Sequence, residues 1–351
     1  MSVSKKLLVV LLGALVALSG VLSAPVAEAA TPSYVALGDS YSSGLGTRSY
    51  LSDGTDCKRS VYAYPSLIAA AKGYALNFRA CAGATVSDVT GSQLSALSSA
   101  TDYVTISVGG NDAGFTSVLT ECALPSWMSN CFGKISTAQG YITSTLPGRL
   151  ATLYAAIRTR APNASVTVVG YPRLFNGTDC DLFTWFSRSE ETALNQTADL
   201  MNARLASAAT AAGFAFANPT SRFIGHAVCD SPEWLNGLSY PVDESYHPNR
   251  TGQRSGYYPL VSSTVGGTST LSAAIVRRAV ASGRTLAAQQ RAYAGLDASI
   301  DHQGFVAPDL TTARAKAAAA RAGVNLASRA SINRADRTYG ARQAKAWLAD
   351  R

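Results

Sequence analysis

Gly38-Asp39-Ser40-Tyr41-Ser42 follows the apolar run Tyr34 to Leu37, so a serine falls where a buried strand ends and a glycine-rich turn begins. A serine hydroxyl is a weak nucleophile at neutral pH and needs a base within hydrogen-bond reach to take its proton. Imidazole suits that task because its unperturbed pKa lies near working pH. The chain has three histidines, His226, His247 and His302. His302 reads as a surface residue of the C-terminal tail, and His226, between two cysteines, as a loop or pocket-wall residue. His247 precedes Pro248-Asn249 and a helical pattern, which puts it on a loop at a helix entrance, where catalytic groups gather. It is the candidate base.

Attack on an ester places negative charge on the carbonyl oxygen, and each fixed donor aimed at that charge is worth roughly a hundredfold or more in rate. Three donors are candidates: the Ser40 backbone N–H, the Gly83 backbone N–H in Cys81-Ala82-Gly83-Ala84-Thr85, and the Asn111 side-chain amide in Gly109-Gly110-Asn111-Asp112. Gly83 also reads as an ordinary turn glycine and Asn111 as a helix cap. Both segments nevertheless follow apolar strand-like runs, as Ser40 does, and sites in open α/β sheets lie outside the carboxyl ends of strands.

The elements that must position these groups alternate. Strand-like runs over 34–39, 75–80, 103–108, 165–170 and 214–217 are separated by helical patterns over 61–72, 138–160 and 189–212, the last opened by the capping box Ser187-Arg188-Ser189-Glu190. This alternation predicts βαβ units on a parallel sheet, hence a three-layer α/β/α, flavodoxin-like domain over residues 31–265. Gly38, Gly44 and Gly46 do not form a phosphate loop, because no Gly-Lys-Ser/Thr follows. The Gly-x-Ser-x-Gly elbow fails too, since Ser42 stands where the second glycine belongs.

Lys5, Lys6, the apolar stretch Leu7 to Leu22 and the small-residue pattern Ala27-Glu28-Ala29 read as a signal peptide over residues 1–30, which predicts a secreted protein. Cys57, Cys81, Cys122, Cys131, Cys180 and Cys229 form an even set without any Cys-x-x-Cys, which favours disulfides over a metal site in an exported chain. Sequential pairing is the simplest arrangement, because it closes three local loops around the site segments. Val265-Gly266-Gly267-Thr268-Ser269-Thr270 reads as a linker to an Ala/Arg-rich extension, 266–351, with helical patterns over 271–294, 310–322 and 333–349 and a helical or partly disordered character. Residues 268–351 carry 13 Lys and Arg against 5 Asp and Glu, so the net charge of +8 resides there and suits contact with an anionic surface.

The blocks around Ser40, Gly83, Asn111 and His247-Pro248-Asn249 resemble those of the GDSL, or SGNH, hydrolases, and among them the secreted lipases and esterases of actinobacteria, which also carry six cysteines. The resemblance covers about residues 31–263. It implies Ser40 as nucleophile, His247 as base, and Gly83 and Asn111 with the Ser40 amide as oxyanion donors. Relatives of this kind often hold an aspartate three positions before the histidine; here Glu244 stands there, with Asp243 before it. The group that orients His247 is therefore either Glu244 or the Ser245 backbone carbonyl. The implied activity is cleavage of carboxylic esters with an acyl chain through an acyl-enzyme, by a monomer without metal, organic cofactor or nucleic-acid partner. A carbohydrate O-deacetylase and a non-catalytic cell-surface binding protein are the alternatives. Trp127 lies between Cys122 and Cys131, Phe183, Trp185 and Phe186 follow Cys180, and Trp234 follows Cys229; together they suggest an apolar acyl groove, although each reads equally well as part of a small satellite core.

Overall fold

The computed structural model describes residues 30–349; the expected signal segment lies outside the described residues except for Ala30. Five strands, β1 (Ser33–Gly38), β2 (Ala75–Phe78), β3 (Tyr103–Ser107), β4 (Ser165–Val169) and β5 (Ala215–Ala217), form one sheet in the order β2-β1-β3-β4-β5. All neighbours are parallel. Val35, Leu37, Val104, Ile106, Val166 and Val168 are buried, as strands covered on both faces by helices require. The order turns back between β1 and β3, so the crevice at their carboxyl ends is the topological switch point of the sheet.

Helices Phe115–Cys122, Cys131–Ser144, Leu146–Arg160 and Arg188–Ala211 pack against one another in one layer, and Tyr64–Lys72, Tyr258–Thr264 and Ala273–Ala281 in another. The architecture is three-layer α/β/α. The single helix expected over 138–160 is in fact two. Pro147 sits in the first turn of the second helix, where its missing N–H costs nothing, but no helix can run through it without losing a hydrogen bond to the preceding turn. Ser187 caps Arg188–Ala211 through the expected box with Glu190.

Residues from Thr31 onward form one compact unit, and the C-terminal extension folds back over the sheet domain. The reason is a buried ion-pair cluster. Arg59 donates to Asp53 at 2.8 Å and to Asp297 at 2.7 Å, and Arg79 donates to both oxygens of Asp297 at 2.7 and 3.2 Å. All these side chains are shut off from solvent. Gln290, from helix Gly283–Arg291, adds bonds to Arg79 and Asn77, and Tyr293 stacks on the Arg79 guanidinium. Further on, helices Ala313–Ala322 and Arg329–Ala349 enclose Trp127 and Trp185 in a second hydrophobic cluster. The expected linker is held as well, through Lys72 to the Gly267 carbonyl and the Tyr258–Ser269 hydroxyl pair.

Removing one member of a buried ionic cluster leaves uncompensated charge inside the protein and typically costs about 3–5 kcal/mol. Asp297→Asn is therefore expected to lower the unfolding free energy by about that amount, measured by urea denaturation. A loss below about 1 kcal/mol, the scale of an exposed pair, would show that this cluster does not tie the extension to the domain.

Candidate active site

The site begins where β1 touches β3. A Cβ on Gly38 would lie 2.2 Å from the Ser107 carbonyl oxygen, and Gly38 has φ +117°, so glycine is required there. Gln93 clasps this point by accepting from the Gly38 N–H at 2.7 Å and donating to its carbonyl at 2.9 Å. The next residue, Asp39, caps the short turn Ser40–Ser43 by accepting from the Tyr41 N–H at 3.0 Å. The same carboxylate accepts from the Ser107 hydroxyl at 2.7 Å and the Tyr171 hydroxyl at 2.5 Å. Burial pushes the Asp39 carboxyl up to about 6, and the two hydroxyls hold it lower than burial alone would. Ser40 is thus delivered at the switch point by a turn with almost no freedom.

His247 arrives from a distant loop. The Tyr246 N–H donates to the Asn236 carbonyl and the Asn236 N–H to the His247 carbonyl, while Tyr41 donates to the Tyr246 carbonyl at 2.9 Å. The rings of Tyr41 and Phe115 pack against the imidazole, with centroids 5.2 and 5.9 Å away. Nε2 lies 2.9 Å from Ser40 Oγ, and Nδ1 lies 2.9 Å from the Ser245 carbonyl oxygen. A carbonyl only accepts, so Nδ1 carries the proton and Nε2 presents its lone pair to the serine hydroxyl. Burial pushes the imidazole down to about 4, partly offset by the bond to Ser245.

Of the two candidates for orienting His247, only the Ser245 carbonyl makes the contact. The Glu244 carboxylate points elsewhere, accepting from the Tyr50 hydroxyl at 2.5 Å and pairing with Arg48 at 3.4 Å. Its neighbour Asp243 pairs with Lys58 at 3.7 Å. Glu244 is buried and polar bonds hold it, so its place in the site is to secure the histidine loop. Gly83, with φ +82°, and Asn111 line the same cleft as Ser40 and His247. The Asn111 amide donates to the Ala84 carbonyl at 3.0 Å, which joins the two donor segments, and Asp112 accepts from the Val86 N–H at 2.9 Å.

The disulfides close the sequential loops Cys57–Cys81, Cys122–Cys131 and Cys180–Cys229. The loop aromatics line neither the serine cleft nor the apolar chamber beside it. Trp127 and Trp185 are occupied by the extension, Phe186 packs on Phe175 and Tyr246, Trp234 stacks on His226, and Phe183 is exposed. The apolar chamber lies elsewhere, among Tyr41, Phe115, Ile142, Tyr171, Leu194 and Met201, and shares Phe115 and Leu119 with the serine cleft. The helices that build it are amphipathic in the ordinary way, so no local signal separates its lining from core. His302, expected on the surface, is exposed and also lines the serine cleft.

A parallel α/β/α sheet carrying serine, imidazole and amide groups at its switch point is the arrangement of the SGNH hydrolases. Residues 36–255 match the GDSL-like Lipase/Acylhydrolase family. Lipase 1 of Streptomyces coelicolor is 47% identical over 249 residues, covering 70% of this chain and 91% of that protein. The lipase of Streptomyces rimosus is 45% identical over 252 residues, covering 71% and 92%. The crystal structure of the extracellular S. rimosus lipase superposes with a TM-score of 0.63 at 44% identity, over 67% of this chain and all of that one. Phospholipase A1 from Streptomyces albidoflavus gives 0.64 at 43%, with the same coverage. The chain belongs to the GDSL-like lipase/acylhydrolase family, and it is a carboxylic ester hydrolase.

The depressed imidazole has a measurable consequence. His247 is expected to titrate near 4 instead of 6.5, followed by NMR of carbon-13-labelled histidine in the folded protein. The unfolded chain takes up this proton first as the pH falls from 6.5 toward 4, so this group's contribution to stability is lost over that window. A midpoint at or above 6.5 would contradict the burial described above.

Proposed function

We propose that Ser40 is the nucleophile, His247 the base, and the Ser245 carbonyl the group that orients it, with the Ser40 amide, the Gly83 amide and Asn111 receiving the oxyanion. The observation that carries this reading is the chain of two 2.9 Å bonds from Ser40 Oγ through the imidazole to the Ser245 carbonyl. His247 Nε2 takes the hydroxyl proton as Oγ attacks the ester carbon, and the carbonyl oxygen becomes the oxyanion. Collapse returns the proton from Nε2 to the departing alcohol and leaves an acyl-serine. Water, deprotonated by the same nitrogen, then attacks that acyl carbon; the bond to Ser40 Oγ breaks, Oγ takes the proton back from Nε2, and the acid is released.

The substrate is a lipid-type ester whose acyl chain enters the apolar chamber beside Phe115. Support comes from the lining of that chamber and from the lipase and phospholipase names of the relatives above. A carbohydrate deacetylase would have little use for such a chamber. The reading also takes the protein as secreted: three disulfides suit an oxidising compartment, and the S. rimosus relative is an extracellular lipase. Exposed arginines of the extension, among them Arg277, Arg314 and Arg334, would hold the enzyme near anionic surfaces.

Ser40→Ala is expected to lower kcat on p-nitrophenyl butyrate at least about a thousandfold, whereas Glu244→Gln keeps activity within about fivefold. A large loss in Glu244→Gln with an unchanged melting curve would return the orienting role to that carboxylate. Ala198 lines the apolar chamber. Ala198→Phe is therefore expected to lower kcat/KM for the octanoate ester about tenfold relative to the butyrate ester. An unchanged ratio would place the acyl chain elsewhere.

A further inference from the structure

Residues 301–309 of the extension contain neither helix nor strand and run across the mouth of the serine cleft. Both ends of this strap are pinned. Ile300 is buried just after Asp297, which is locked to Arg59 and Arg79. On the other side the Phe305 ring is buried edge-on against Tyr246, with centroids 4.9 Å apart, and the Val306 N–H donates to Thr120 at 3.1 Å. Between these pins the strap rests on the oxyanion turn: a Cβ on Gly83 would lie 2.4 Å from the Asp301 carbonyl oxygen. His302, Gln303, Gly304 and Phe305 share the cleft with Ser40, Asn111 and His247.

Residues 301–304 are exposed, so their side chains are not filling a core. The cleft also has two unlike halves. Past Phe115 and Leu119 it joins the apolar chamber, while on the strap side it is lined by Asp56, Lys58, Asp243, His302 and Gln303. An ester whose acyl half enters the chamber must put its alcohol half under the strap, among charged and polar groups. Further acyl chains on that alcohol would have to strip water from those groups or push the strap away.

We propose that the strap Asp301–Phe305 is the specificity-determining wall of the alcohol side, selecting esters of a single acyl chain with a compact polar alcohol, of the monoacylglycerol kind, over esters whose alcohol carries additional chains. The proposal rests on the reading of Ser40 and the acyl chamber given above. The family match ends at residue 255, so this wall is built from a segment outside the matched region.

The test compares kcat/KM for glycerol monobutyrate and glycerol tributyrate, which share acyl chain and glycerol and differ in the bulk of the alcohol half. Phe305→Ala loosens the strap and is expected to lower the mono-to-tri ratio about tenfold by a gain on the tributyrate. If that variant does not fold, Thr120→Val, which removes the acceptor for the Val306 N–H, gives the same direction. A clamp acts oppositely. A Cβ on Gly304 would lie 3.5 Å from that of Asp243, within disulfide range. Oxidised Asp243→Cys/Gly304→Cys is expected to raise the ratio about tenfold, with dithiothreitol reversing the change against wild type treated in parallel. Ratios within about twofold of wild type in both the loosened and the clamped protein, or shifts in the same direction, overturn the proposal. If Ser40→Ala hydrolyses both substrates normally, the reading beneath it falls as well; if Ser40→Ala is inactive while the ratios stay put, only the strap falls.

Discussion

Everything at the site depends on how closely β1 and β3 approach at their carboxyl ends. Gly38 and Ser107 meet with no room for a Cβ, and the Asp39 N–H completes the contact by donating to the Ser107 carbonyl at 2.9 Å. That contact fixes the turn that carries Ser40. It also sets the buried Asp39 carboxylate between hydroxyls from two strand ends, Ser107 at the end of β3 and Tyr171 just after β4. The serine is therefore held by the sheet itself, and the other half of the site comes from the long loop that brings His247.

That loop presents a backbone carbonyl, and no carboxylate, to His247 Nδ1. The imidazole is enclosed by Tyr41, Phe115 and the Ser245 backbone, and enclosure disfavours its charged form. A carboxylate at Nδ1 would favour the imidazolium in the resting state; a carbonyl fixes the tautomer and leaves Nε2 basic but unprotonated. Glu244 meanwhile secures the loop from behind through Tyr50 and Arg48, and the Asn236 amide reaches both the Gly46 and the Glu244 carbonyls. Orientation and anchoring are thus divided between neighbouring residues.

What was legible in the sequence followed from local rules. Buried runs such as Tyr34 to Leu37 and Val104 to Ile106 announce covered parallel strands, and the Ser187–Glu190 box marks a helix start to within a residue. Strand order places the segments around Ser40, Gly83 and Asn111 at one edge of the sheet, and the loop that carries His247 joins them in one cleft. The break before Pro147 was readable but was overrun by a continuous helical pattern. What had no local signal was long-range: the Gln93 clasp on Gly38, the Tyr41 bond to the histidine loop, and the choice of which aromatics face the chamber and which face the extension. Trp127 and Trp185 look alike whether they line a groove or a satellite core, because both settings demand apolar surface on a loop.

The extension was hardest to read because its composition, rich in alanine and arginine, matches a solvated helical appendage. Its anchor nearest the strap is one acid, Asp297, whose partners Arg59 and Arg79 lie more than two hundred residues earlier. Arg59 also pairs with Asp53, but the carboxylate that Arg79 pairs with is Asp297, and desolvated charge needs a partner. The domain therefore requires the segment that immediately precedes the strap, and the strap cannot leave Gly83 far while Asp297 stays buried. Stability and cleft shape are in this way linked through a few residues of chain: Asp297 is four residues from the Asp301 carbonyl that lies against Gly83, and an extension that looks dispensable by composition lines the cleft that holds Ser40 and His247.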